Sequence, residues 1–63
     1  MKIKQINIID IVVEYYFIEQ ADKWIIEYTN LDNELKIDYC CGEEDPEEDL
    51  MIAQINKLFN LNY

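Results

Sequence analysis

The chain's 63 residues allow one domain, 1–63, with a small core, because a domain this size buries only about 60% of its unfolded surface. Hydrophobic residues make up 51%, including five Tyr, two Phe and one Trp, which excludes a disordered acidic tail. Fourteen acids against five bases, all Lys, give a net charge of −9 without any Arg or His; this argues against binding nucleic acid or anionic membranes and favours a basic protein surface as partner.

The opening MKIKQINIIDIVV sets Lys before an apolar stretch, but Asn7 and Asp10 interrupt it and no small-residue cleavage site follows, so the chain is read as cytoplasmic. Isoleucine density in residues 2–11 favours a strand, although Ile6, Ile9 and Val13 also fit helical spacing. The preferred reading is a strand, and one long bent run into residue 18 is one form it could take. Within VVEYYFIE, residues 12–19, Val13, Tyr15 and Phe17 are expected inside, with Glu14, Tyr16 and Ile18 outside. A turn at Gln20-Ala21-Asp22 leads to KWIIEYTN, where Trp24, Ile26 and Tyr28 alternate against Ile25, Glu27 and Thr29.

Asn30-Leu31-Asp32-Asn33 has turn chemistry and predicts a hairpin into ELKIDYCC. Leu35, Ile37, Tyr39 and Cys41 then share the inner face, while Glu34, Lys36, Asp38 and Cys40 lie on the other. In the last segment Asp45 can cap a helix, Pro46 suits its first position, and Glu48 completes a capping box. Met51, Ile52, Ile55, Leu58 and Phe59 form one apolar stripe at helical period, with Leu50 and Leu61 off it. The expected fold is α+β: a three- or four-stranded antiparallel meander with one C-terminal helix packed across one face.

Six acids crowd the seven residues Glu43 to Asp49. Asp45, Glu47 and Glu48 complement a helix N-terminus; Glu43, Glu44 and Asp49 exceed what a cap requires, so the block reads either as cap and solubiliser or as a surface for a basic partner. Neither calcium nor zinc is expected, since the EF-hand rhythm is absent and two adjacent thiols without His make a poor zinc site. Cys40 and Cys41 read as one core thiol beside an exposed one. No cofactor is expected, and without Ser, His or a Gly-rich phosphate loop the chain is read as a non-enzyme.

The proposed outer sheet face mixes Glu14, Glu27, Glu34 and Asp38 with Tyr16, Ile18 and Ile25, a composition suited to a dimer seam or a partner surface.

By size, charge and this meander-plus-helix order the chain resembles the small acidic proteins that phages and mobile elements use to disarm nucleic-acid enzymes. Anti-CRISPR proteins, anti-restriction proteins and uracil-DNA glycosylase inhibitors belong to this class, and many of them mimic DNA. The resemblance to anti-CRISPR proteins implies that Glu43, Glu44, Asp45, Glu47, Glu48 and Asp49 meet the basic groove of a CRISPR effector such as Cas9. Glu14, Glu27 and Asp38 would extend the charged track, and Tyr16 and Ile18 would anchor it. The alternatives that stay open are a glycosylase or restriction-enzyme inhibitor acting by the same mimicry, and a homodimeric structural or assembly module.

Overall fold

The computed structural model describes residues 2–42 and 44–61. Its elements are β1 (Lys4–Ile8), β2 (Ile11–Ile18), β3 (Lys23–Thr29), β4 (Leu35–Cys41) and α1 (Glu48–Leu58). The four strands pair in sequence order, every neighbour antiparallel. The α+β meander with one C-terminal helix is therefore present in its four-stranded form.

The isoleucine-rich opening is a strand, but it does not run on into β2. Ile8 pairs with Ile11, so Ile9 and Asp10 form a two-residue hairpin loop. Ile9 takes φ 58° there, a left-handed conformation that a β-branched side chain resists. The next turn closes with the amides of Ala21 and Asp22 donating to the carbonyls of Ile18 and Glu19.

The third turn decides which face of β4 points inward, and it overturns an expectation. A four-residue Asn30–Asn33 loop would have set Leu35 opposite Tyr28 and turned Leu35, Ile37 and Tyr39 into the core. Instead Leu35 pairs with Thr29, so the loop has a fifth member, Glu34. The Asn30 side-chain oxygen accepts hydrogen bonds from the amides of Asp32 and Glu34 at 3.0 and 2.9 Å, and Asn33 takes φ 63°. Because side chains alternate with period two, one extra loop residue turns the whole strand over. Lys36, Asp38 and Cys40 consequently share the inner face with Tyr28, Ile26 and Trp24. Asp38 is thus not an outer-face residue, and the thiol packed against the core is Cys40 while Cys41 is exposed.

The core lies between the sheet and α1. Ile8, Ile11, Val13, Ile26, Tyr28, Met51 and Ile55 are buried together, with Ile6, Tyr15, Cys40, Ile52, Leu58 and Phe59 packed around them. The helical stripe expected from period 3.6 is the one that docks, and Leu50 and Leu61 remain exposed. Its strand partners come mainly from β1 to β3, so α1 leaves β4 less covered. Trp24 extends the core towards one end, with Tyr15 and Phe17 tilted against it at centroid distances of 5.8 and 5.5 Å.

The entry to α1 departs from a capping box. Glu47 is the N-cap, in extended conformation and without a side-chain cap hydrogen bond, and Pro46 is buried just before it. Asp45 is drawn away because it pairs with Lys4 of β1. At the other end Asn60 takes φ 57°, and the Leu61 amide donates to the Asn56 carbonyl at 2.9 Å, a Schellman closure.

Candidate protein-binding face

With β4 turned over, the face of the sheet away from α1 becomes an ordered array. Pairing across β2, β3 and β4 sets its rows as Val12–Thr29–Leu35, Glu14–Glu27–Ile37, Tyr16–Ile25–Tyr39 and Ile18–Lys23–Cys41. The β4 members of these rows and Glu14 are exposed, and the other β2 and β3 members are half-buried. Tyr39 is 60% exposed, Leu35 52% and Ile37 48%. Such a concentration of apolar side chains on one open face exceeds the scatter of single surface hydrophobics that needs no explanation.

Two carboxylates interrupt this apolar array at its middle. Glu14 and Glu27 stand directly opposite one another on neighbouring strands, a cross-strand placement that is destabilising for like charges. No described Lys forms an ion pair with either. Glu27 accepts a hydrogen bond from the Tyr16 hydroxyl at 3.0 Å. That bond, with some desolvation, raises the Tyr16 hydroxyl above its ordinary 10.0, because losing the proton would leave two negative groups in contact. Lys23 lies over the Tyr39 ring at 5.5 Å and so is turned towards the β4 edge of the face.

The expected site residues divide between the two sides of the sheet. Glu14, Glu27, Tyr16 and Ile18 share the outer face. Asp38 lies on the inner side, opposite Ile26. The acidic block is tied to that inner side as well, because Asp45 meets Lys4, whose ammonium stands 5.8 Å from the centre of the Trp24 ring. Glu44, Glu47, Glu48 and Asp49 are exposed around it; Glu43 lies outside the described residues. The members that sequence reasoning missed are Leu35, Ile37 and Tyr39, and the signal that could have found them is the length of the 30–34 loop.

Elsewhere the chemistry is sparse. A shallow groove of about 350 Å³ between the end of α1 and the 30–34 loop is lined by Asp10, Asp32, Glu34 and Lys36 beside Leu58 and Leu61. It contains no nucleophile set beside a base. Among the described residues no three potential metal ligands converge, and no helix is long and apolar enough to cross a membrane. No family model matches the chain, and neither a curated protein nor a solved structure does.

Proposed function

We propose that this chain is a non-enzymatic inhibitor that binds the basic, nucleic-acid-contacting surface of a larger enzyme. Its preferred role is that of an anti-CRISPR protein in the cytoplasm of a bacterial cell, acting on a CRISPR effector such as Cas9 as an acidic mimic of DNA. Inhibition of uracil-DNA glycosylase or of a restriction enzyme by the same mimicry is the nearest alternative.

The observation that carries this reading is the Glu14–Glu27 pair in the middle of an open apolar sheet face. A like-charged pair weakens the isolated fold, and such conflicts mark places where a sequence serves something besides folding. An Arg or Lys from a partner would relieve the repulsion, and the surrounding Ile25, Ile37 and Tyr39 would keep water away from that contact. The exposed acids Glu44, Glu47, Glu48 and Asp49 add long-range attraction for a basic surface and so speed encounter.

A homodimeric assembly module is the rival, favoured by the exposure of Leu35, Ile37 and Tyr39. Stacking two copies face to face about their centres would bring four carboxylates together, which opposes that arrangement. The test is a pull-down with the tagged chain from a bacterial lysate, eluted with about 0.5 M salt and repeated with DNA as competitor. Release of a nucleic-acid enzyme by salt and its displacement by DNA is the expected outcome. Recovery of the chain by itself would reject the inhibitor reading.

A further inference from the structure

We propose that two copies of this chain join through the free edge of β4, antiparallel about a twofold axis at Ile37, to make one eight-stranded sheet. β4 is the last strand of the sheet, seven residues long, and its pairing with β3 runs without a bulge from Leu35 to Cys41. It carries no Pro or Gly inside those bounds. An edge of that length and regularity is a template for another strand unless something blocks it. The opposite edge, β1, is only five residues long and is flanked by Lys2 and tied at Lys4 to Asp45.

The occupant is a second copy because β4 is self-complementary in one register. With the axis at Ile37, Lys36 faces the partner's Asp38 and Asp38 faces the partner's Lys36, giving two opposite-charge pairs on the inner side. On the outer side Leu35 faces the partner's Tyr39, Tyr39 faces the partner's Leu35, and Ile37 meets its own copy. Moving the axis to Asp38 would oppose Asp38 to itself. Moving it to Lys36 would oppose Lys36 to itself and Asp38 to Glu34. An axis at Leu35 would run the strand into the 30–34 loop, and one at Tyr39 would leave Lys36 opposite Gly42. Axes between residues would match inner side chains with outer ones, which the pleat forbids.

This edge-to-edge arrangement also avoids the clash that prevents face stacking. Each Glu14–Glu27 pair stays on its own side of the axis, with both copies of β4 between the two pairs. The apolar outer residues of the two β4 strands meet in one continuous band. Because an isologous contact closes on itself, the assembly stops at a dimer and does not grow into a filament.

The experiment is sedimentation equilibrium on the full chain, without any partner, alongside three charge variants. The wild type is expected to be dimeric, and Asp38→Lys and Lys36→Asp to weaken association at least about tenfold each by setting like charges together. The double exchange Lys36→Asp with Asp38→Lys restores the opposite-charge pairs and should restore the dimer. Circular dichroism on the same samples reports whether each variant remains folded.

A fourth variant, Ile37→Cys with Cys40→Ser and Cys41→Ser, does not depend on the Lys36–Asp38 pairs. Opposed residues on antiparallel strands approach to about 4.5–5.5 Å between Cα atoms, within disulfide range, so it should oxidise to a covalent dimer. A wild type that stays monomeric at about 1 mM would overturn the proposal. So would a folded double exchange that remains monomeric, or an Ile37→Cys protein that fails to cross-link. The assay is made without a target protein, so a monomer would leave the inhibitor reading standing, and a failed pull-down would leave the dimer standing.

Discussion

Lys4 and Asp45, forty-one residues apart in sequence, form an ion pair that fastens the loop before α1 to the first strand. The Lys4 ammonium also lies over the Trp24 ring, so one side chain links the acidic loop to the aromatic end of the core. The pair explains why Asp45 does not cap the helix, and it gives the acidic block one fixed point.

Both side chains are substantially exposed, so the coupling should be modest and sensitive to salt. The Lys4→Ala, Asp45→Ala and double variants are expected to be non-additive in urea denaturation. That coupling should vanish near about 1 M salt, where the screening length falls to about 3 Å. The hydrogen bond to Asp45 raises the Lys4 ammonium above 10.5. Its stabilisation is therefore complete below that pH and lost as the pH climbs through the raised value. Additive effects at low salt would show that the contact contributes nothing.

Ile9 provides a test of backbone strain. At φ 58° and 46% exposed it gives up little burial on substitution, while the left-handed conformation costs a β-branched residue about 1–2 kcal/mol. Ile9→Asn or Ile9→Gly should raise the unfolding free energy by about 1 kcal/mol, read from the urea midpoint at unchanged slope. A loss of stability would mean that the Ile9 side chain contributes packing that outweighs the strain.

Tyr28 is fully buried, and its hydroxyl has no hydrogen-bond partner. Tyr28→Phe removes that orphan without opening a cavity and should stabilise the fold by about 1–2 kcal/mol. Burial, with the Asp38 carboxylate adding to it, pushes the Tyr28 hydroxyl well above 10.0. Above that pH the unfolded chain ionises at this position while the folded one does not, so stability falls as the solution becomes more alkaline. The Phe variant should lose stability less steeply over the same range, as followed by denaturation at a series of pH values.

Glu14→Gln separates folding from binding. Removing one member of the opposed pair should stabilise the free protein by about 0.5 kcal/mol. It leaves the Tyr16–Glu27 hydrogen bond in place. Affinity for the proposed basic partner should fall, because a partner seated on this face would meet one carboxylate fewer. Unchanged affinity, with binding lost instead when Glu44, Glu47 and Asp49 are neutralised, would move the contact to the acidic loop.

The parts of this architecture that could be read from the sequence are those that a period reveals. Met51, Ile52, Ile55, Leu58 and Phe59 announce a helix and its docking side together, because only one stripe of that helix is apolar. Strand alternation in β4 announces a strand and its two faces, but it does not say which face is buried. Leu35, Ile37 and Tyr39 look like core residues by hydrophobicity, and the winning constraint is the geometry of a turn held by Asn30. The candidate site was correspondingly half legible: Glu14, Glu27, Tyr16 and Ile18 follow from β2 and β3, whereas the apolar half depended on the turn. The Asp45 contact was hidden for a different reason, since capping chemistry is local and the Lys4 partner is distant in the chain.

The five-residue loop between β3 and β4 therefore decides more than a local path. A gene one codon shorter here would encode a chain whose fourth strand turns Lys36, Asp38 and Cys40 to the outer face and Leu35, Ile37 and Tyr39 to the helix side. The apolar part of the outer face would then shrink to Val12, Tyr16, Ile18 and Ile25 on β2 and β3. Keeping the extra residue leaves Leu35, Ile37 and Tyr39 open to solvent, so the apolar character of this face hangs on the length of one turn.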